Sequence, residues 1–125
     1  MKSTILTTCL LFASLAAPFA VQAGDMPAMD KGGTLVDAEG MTLYVFDKDP
    51  AGGGSACNGP CATNWPPLMA KGDASAAGDW SIVTREDGAH QWAYKGRPLY
   101  RWIKDAKAGD MTGDGFKGVW HVAKP

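Results

Sequence analysis

The sequence has little of what most enzymes and nucleic-acid-binding proteins require. Lys and Arg number 12 against 13 Asp and Glu, so the formal charge is −1. The chain therefore lacks the excess of basic residues that binding to nucleic acid or to an anionic membrane surface requires. There are two histidines and three cysteines, and no G-x-S-x-G, H-E-x-x-H or phosphate-loop motif. These absences disfavour hydrolases and nucleotide-binding enzymes, and we expect no catalytic residue.

The composition that is present favours a small β protein. A chain of 125 residues accommodates one domain. Its 16 glycines and eight prolines disfavour a helical bundle and favour short strands joined by turns. With 46% hydrophobic and 20% charged residues, the chain can build a core. We therefore expect a mostly β, single domain of antiparallel strands with long Gly-rich loops.

Residues 1–23 have the features of a secretory signal peptide. Lys2 supplies the positive start, an apolar run follows, and Val21-Gln22-Ala23 forms a cleavage site with small residues at the right positions. A membrane anchor is the alternative, but the run is short for a span. Cleavage after Ala23 would leave a 24–32 segment that we expect to be a flexible tail and a folded domain over 33–125. We expect a periplasmic or secreted protein whose mature chain has no transmembrane segment.

The chain repeats itself with an offset of 56 residues. The segment GMTLYVFDKD at 40–49 aligns without a gap on GRPLYRWIKD at 96–105. Five of the ten positions are identical, and a sixth is aromatic in both segments. A Gly-rich loop and a tryptophan follow in each case, Trp65 in the first unit and Trp120 in the second. This similarity predicts one domain built from two pseudo-repeats.

Both repeated segments are predicted to be strands, because the first has aromatic and β-branched residues and ends at Pro50 and a glycine run. Alternation along them places Tyr44 and Phe46 on one face with their counterparts Tyr100 and Trp102. Leu43 and Val45 take the other face, with Leu99, Arg101 and Ile103 as counterparts. Further strands are indicated by turn residues, with Asp87-Gly88 typical of a type I′ hairpin and Lys95-Gly96 of a second turn. The predicted strands cover 34–36, 41–46, 80–86, 89–94, 98–104 and 119–123.

Both repeated segments fit the pattern Y-x-[FWY]-x-x-D, as Tyr44, Phe46 and Asp49 in the first unit and Tyr100, Trp102 and Asp105 in the second. Together with CNGPCATNWPPL at 57–68, YKGRPLY at 94–100 and GDMTGDGFKGVWHV at 109–122, these motifs make the chain resemble the bacterial secreted-repeat proteins described as predicted lipoproteins with a Yx(FWY)xxD motif. The resemblance covers residues 33–123 and implies export and a two-repeat domain. It implies no activity. The sequence departs from the lipoprotein description because Gly24, not cysteine, would open the mature chain.

Cys57 and Cys61 are the two cysteines that remain after signal-peptide cleavage. Their spacing brings the Cα atoms within disulfide range across one turn, and an oxidising compartment favours the bond. The prediction is a structural disulfide that holds the Gly-rich loop. A thiolate metal site and a redox dithiol are alternatives, although the C-x-x-C spacing of most redox pairs is absent.

Metal or haem binding is the other chemistry to weigh. His90, His121 and Met111 are the candidate ligands, and histidine with methionine in an exported protein makes copper worth considering. No H-x-H or H-x-x-x-H spacing supports such a site. Asp110 to Gly115 resembles the start of a calcium loop, but the twelfth position is His121 where a glutamate is needed, so a tight polar turn is favoured. We expect no cofactor.

The function predicted from these features is that of an exported, non-catalytic binding or interaction module. Its partner would be a protein or small molecule of the cell envelope, bound on an aromatic surface, and nucleic acid would not be a partner. The alternative is a periplasmic metal- or haem-binding protein with a redox or copper-handling role. An enzyme with a dithiol centre is the weakest possibility.

Overall fold

A computed structural model describes residues 27–125. The expected signal peptide and its cleavage site lie outside the described residues. The described chain is mostly strands, all paired antiparallel, with little helix. In chain order the elements are β1 (Met29–Lys31), β2 (Thr34–Val36), β3 (Tyr44–Phe46), α1 (Pro60–Asn64), β4 (Trp80–Thr84), β5 (His90–Tyr94), β6 (Arg97–Pro98), a 3-10 turn (Phe116–Gly118) and β7 (Trp120–Val122). Within this range no helix has the length and apolar character needed to span a membrane.

The strands form three small sheets, and two central tyrosines join two of these sheets. β1 pairs with β2, β3 with β7, and β4, β5 and β6 form a three-stranded sheet. Tyr44 at the start of β3 and Tyr100 exchange both backbone hydrogen bonds, with N–O distances of 2.8 and 3.0 Å. This bridge joins the first repeat to the second at the same position of each.

Corresponding backbone hydrogen bonds show that the two repeats have the same local structure. Leu43 donates to the Leu35 carbonyl at 2.9 Å in the first repeat, and Leu99 donates to the Trp92 carbonyl at 3.0 Å in the second. Three further bonds correspond in the same way. Leu35 N to Ala123 O corresponds to Trp92 N to Leu68 O, and Ala123 N to Leu43 O corresponds to Leu68 N to Leu99 O. Asp47 N to Val119 O corresponds to Ile103 N to Asn64 O. The domain is therefore two related halves around an approximate two-fold axis.

Side chains alternate between two hydrophobic clusters, as predicted. The first cluster contains both motif tyrosines together with Phe46 and Trp102, and the second contains Leu43, Val45 and Leu99. Arg101 and Ile103 are in neither cluster: Arg101 is partly exposed, and Ile103 is 56% exposed. The alternation follows from the period of two along extended backbone.

The two turns of the β4–β5–β6 meander lie where the sequence predicts them but differ in type. At Asp87-Gly88 only the glycine has a positive φ, of 88°. The backbone carbonyl of Arg85 accepts from Gly88 N, and the backbone N–H of Arg85 donates to Ala89 O. This is a type I turn followed by a glycine bulge, so the type I′ prediction was wrong. Lys95 and Gly96 have φ of 50° and 80°, so the two-residue I′ geometry occurs there.

Three expected boundaries differ from the structure. Residues 29–31 form β1, and Ala28 is buried, so a flexible tail over 24–32 does not hold for residues 28–31. The strand predicted at 98–104 is regular only through Pro98, although Arg101 N and Ile103 N continue the ladder to neighbouring carbonyls. The loop after Cys57 contains the short helix α1, because Pro60 stands at its first turn, where a missing N–H costs nothing.

Candidate functional site

The two motif tyrosines bond to the aspartate of the opposite repeat. Tyr44 Oη donates to Asp105 Oδ2 at 2.6 Å, and Tyr100 Oη donates to Asp49 Oδ2 at 2.7 Å. Both tyrosines are fully buried. The Y-x-[FWY]-x-x-D pattern therefore describes two reciprocal tyrosine–aspartate pairs between the halves of the molecule.

The second oxygen of each aspartate holds a loop. Asp49 Oδ1 accepts from Ala56 N at 2.7 Å, and Asp105 Oδ1 accepts from Thr112 N at 3.0 Å and from its hydroxyl at 2.6 Å. Each amide lies seven residues after its aspartate. Asp49 and Asp105 therefore bind loop backbone amides and do not have the geometry of an acid–base pair.

Burial shifts the ionisation of these groups. It raises the pKa of Tyr44 and of Tyr100 far above the ordinary tyrosine value, and the neighbouring carboxylates Asp105 and Asp49 reinforce the shift. Burial also raises the pKa of Asp49, against the opposing effects of the Ala56 amide and the Tyr100 hydroxyl. The tyrosines stay protonated and act as hydrogen-bond donors in the core.

The motif aromatics form an interior stack. Phe46 stacks on Trp120 at a centroid distance of 4.3 Å, and Trp102 stacks on Trp65 at 3.9 Å, so each motif aromatic again contacts the other repeat. Trp65 and Trp120 join the two pairs at 3.8 Å with an interplanar angle of 3°. All four rings are buried. The aromatic binding surface expected from the sequence is therefore not made by the motif residues, because the core uses them.

Cys57 and Cys61 form the predicted disulfide, with a Cα–Cα distance of 5.2 Å. Arg85 holds the chain beside it. Its guanidinium is buried and donates to the Cys57 carbonyl at 2.6 Å and to Gln91 Oε1 at 2.7 Å. It also donates to Ser55 Oγ at 3.0 Å.

Ser55 connects this arginine to the first tyrosine–aspartate network. Tyr100 Oη donates to Asp49, so it accepts from Ser55 Oγ at 2.6 Å. The buried positive charge of Arg85 is thus linked to the carboxylate of Asp49 through two hydroxyl groups. Sequence reasoning did not single out Arg85, because an arginine next to an Asp-Gly turn is usually exposed.

The metal-ligand candidates are not brought together. His121 Nε2 lies 2.7 Å from Asp47 Oδ2, while His90 and Met111 are exposed elsewhere, on β5 and in the 105–115 loop. Across residues 27–125, no three His, Cys, Asp or Glu side chains are arranged to hold a metal ion. The copper or haem alternative gains no support from this arrangement.

The loop that resembles a calcium site uses its carboxylates internally. Asp110 Oδ2 accepts from Ala106 N and Lys107 N, and Asp114 Oδ1 accepts from Val122 N. These bonds make it the polar turn that the sequence favoured.

A groove of about 890 Å³ lies on the surface of the described residues. Its wall contains Arg101, whose Nε lies 3.3 Å from Asp37 Oδ2 and whose Nη2 lies 3.7 Å from Glu39 Oε2. Asp37 is itself fixed, because its Oδ1 accepts from Glu39 N and Met41 N. The apolar part of the lining comes from Pro67, Leu68, Met69 and Trp92.

A smaller apolar hollow of about 350 Å³ occupies the corresponding place in the other half. Leu35 lines it where Trp92 lines the groove, and these two residues make matching backbone bonds. Trp80 and Tyr94 supply most of its aromatic wall. The two halves thus keep the same framework but line their concave surfaces differently, with more charged residues in the groove and more aromatic rings in the hollow.

Comparison with known proteins identifies the repeats but gives no activity. A family model described as a secreted repeat of unknown function matches residues 28–69 and 81–124. These ranges cover the two halves defined by the hydrogen bonds above. No curated protein and no solved structure matches the chain.

Proposed function

Because the chain belongs to a family of secreted repeats of unknown function, we propose that it is an exported, non-catalytic module that binds a partner of the cell envelope in the groove beside Arg101. The tyrosines and aspartates of the motif are committed to each other in the interior, so they are a framework and not a reactive centre. The groove combines a charged donor with exposed apolar area.

The observation that carries the proposal is the state of Arg101. Asp37 and Glu39 orient its Nε and Nη2, yet the side chain remains 34% exposed. An oriented guanidinium loses little conformational freedom when it binds, which is the benefit of preorganisation. Its remaining donors point to a ligand with a hydrogen-bond acceptor such as a carbonyl or carboxylate.

The apolar side of the groove indicates the rest of the ligand. Met69 is 50% exposed beside the groove, and methionine side chains adapt to varied apolar groups. A ligand that joins an apolar side chain to backbone carbonyls fits this combination. We assign the groove to an extended peptide segment of an envelope protein.

The test uses a random peptide library displayed on phage and selected against the exported protein. Synthetic copies of the enriched peptides are titrated into isotope-labelled protein and followed by NMR. We expect shifts of the Trp92 indole and of Met69, with the Trp120 indole, which does not line the groove, unchanged. Arg101→Ala should weaken binding at least about tenfold, the effect of one charged hydrogen bond.

Arg97→Ala is the matched control for that loss. Arg97 is also an exposed arginine paired with one aspartate, Asp47, and it does not line the groove. Peptides whose affinity falls equally in both variants, or which shift resonances outside the groove, would refute the assignment.

A further inference from the structure

The contacts between the two halves of the molecule are reciprocal: each half supplies the same kinds of side chain to the other. The tyrosine of one repeat bonds to the aspartate of the other, and the motif aromatic of one stacks on the tryptophan of the other. The central bridge between Tyr44 and Tyr100 is reciprocal as well. Contacts in which i meets j and j meets i are the property of an isologous interface between two copies of one protein.

The connection between the halves is long and weakly held. Residues 70–79 join the last paired residue of the first repeat to β4, and eight of these ten residues are exposed. Its two ends are held to the second repeat by Ala70 N to His90 O and Lys95 N to Asp79 O. Between these ends the backbone hydrogen bonds are local: Ala74 N donates to Lys71 O, and Ala77 and Trp80 exchange a pair of bonds. Extended, ten residues span at most about 33–36 Å, which is comparable with the diameter of a small domain.

We propose that two copies of this chain exchange halves through residues 70–79, so that the first repeat of each pairs with the second repeat of the other. Every contact across the two-fold axis is kept in the exchanged dimer, so the cost lies in the linker and in association. This inference goes beyond the ligand-binding function and stands without it.

The exchange changes the composition of the groove. Its lining draws Asp37 and Leu68 from the first repeat, Trp92 and Arg101 from the second, and Lys71 and Asp73 to Ser75 from the linker. In the exchanged dimer each groove therefore contains residues of both copies, and the part of its lining that comes from the linker changes position.

The first experiment shortens the linker by deleting residues 72–76. In the native chain the linker runs from Ala70, which is bonded to His90, to Trp80, which is paired with Tyr94. It therefore passes from one side of β5 to the other. Five fewer residues leave about 17 Å from Ala70 to Trp80 at full extension, too short to go around the strand. Shortened hinges of this kind favour exchange.

The expected result is a molecule of twice the mass by light scattering, with the near-UV circular dichroism of the parent protein. A folded monomer would overturn the proposal. Because shortening can also prevent folding, a second experiment keeps the natural linker.

That experiment uses two single variants, Val45→Cys and His121→Cys, which occupy paired positions on β3 and β7. The two proteins are mixed, unfolded without reductant, refolded at high concentration and oxidised. A disulfide between the chains is expected, since β3 of one chain meets β7 of the other only after exchange. Ile103→Cys mixed with His121→Cys is the control, and no excess of covalent dimer over that control would refute exchange.

Discussion

The hydroxyl of Tyr44 donates to Asp105, 61 residues away, and not to Asp49, five residues along its own motif. Tyr100 does the same in the opposite direction. The motif is therefore a device for joining two repeats, and its energetic effect should appear between repeats and not within one.

Double-mutant cycles test this pairing. Tyr44→Phe removes a buried bond to a charged acceptor and should lower the free energy of unfolding by about 1.5–3 kcal/mol. Combined with Asp105→Ala it should show a coupling energy of similar size, since the two changes remove the same bond. Combined with Asp49→Ala the coupling should stay under about 0.5 kcal/mol. Urea denaturation gives all the values, and equal coupling in both cycles would contradict cross-repeat pairing.

Alkaline pH should destabilise the protein. Burial raises the pKa of Tyr44 and Tyr100 above the ordinary value of 10.0, so the unfolded chain releases these protons first. Unfolding is then favoured, and stability should fall as the pH rises above about 10, by about 1.4 kcal/mol per pH unit for each tyrosine. Chemical denaturation between pH 8 and 11 measures the slope. The double variant Tyr44→Phe/Tyr100→Phe should lose most of it, and an unchanged slope in that variant would assign the effect to other groups.

Gly113 lies against the tryptophan stack. A Cβ there would come within 2.7 Å of the Trp65 ring and 3.0 Å of the Trp102 ring. Gly113→Ala should therefore destabilise the protein by about 1–3 kcal/mol through overpacking. Gly72→Ala is the matched control, since a Cβ at Gly72 meets nothing within 4 Å and neither glycine has a positive φ. That control should be neutral or stabilise by up to about 1 kcal/mol. Thermal unfolding of both variants makes the comparison, and equal effects would mean that the stack relaxes freely.

The disulfide should be structural and chemically quiet. Cys57 is fully buried, so the native exported protein should show no mass increase with an alkylating reagent. Reduction should lower the free energy of unfolding by about 2 kcal/mol, because the closed ring is short. Rapid reaction of either cysteine in the native protein would instead indicate a redox role.

The repeat and the alternation could be predicted from the sequence because both are local. Tyr44 and Phe46 are two residues apart, and extended backbone places such residues on one face whatever the rest of the chain does. The aspartate's partner could not be predicted in this way. Asp49 keeps the same spacing from Tyr44 whether the pairing is within a repeat or between repeats, and only the approach of the two halves decides it.

The candidate site could be predicted from the sequence even less than the aspartate's partner, because its geometry comes from tertiary structure. Arg101 aligns with Val45 in the repeat, so nothing in the motif distinguishes it as a groove residue. Its orientation comes from Asp37, which lies 64 residues earlier in the chain. The type of the turn at Asp87-Gly88 was missed for a related reason, since that dipeptide suits both the I′ turn and the type I turn with a glycine bulge, and the register of β4 on β5 decides between them.

Cross-repeat pairing also sets the order of events for a nascent chain. Tyr44 leaves the ribosome long before Asp105, so the amino-terminal half has no acceptor for its buried hydroxyl until most of the chain has been made. Contacts of such sequence separation make folding late and cooperative for both halves together. The Cys57–Cys61 bond joins residues separated by four and needs none of the second half. This crosslink can therefore close in an oxidising compartment before the core of the protein has formed.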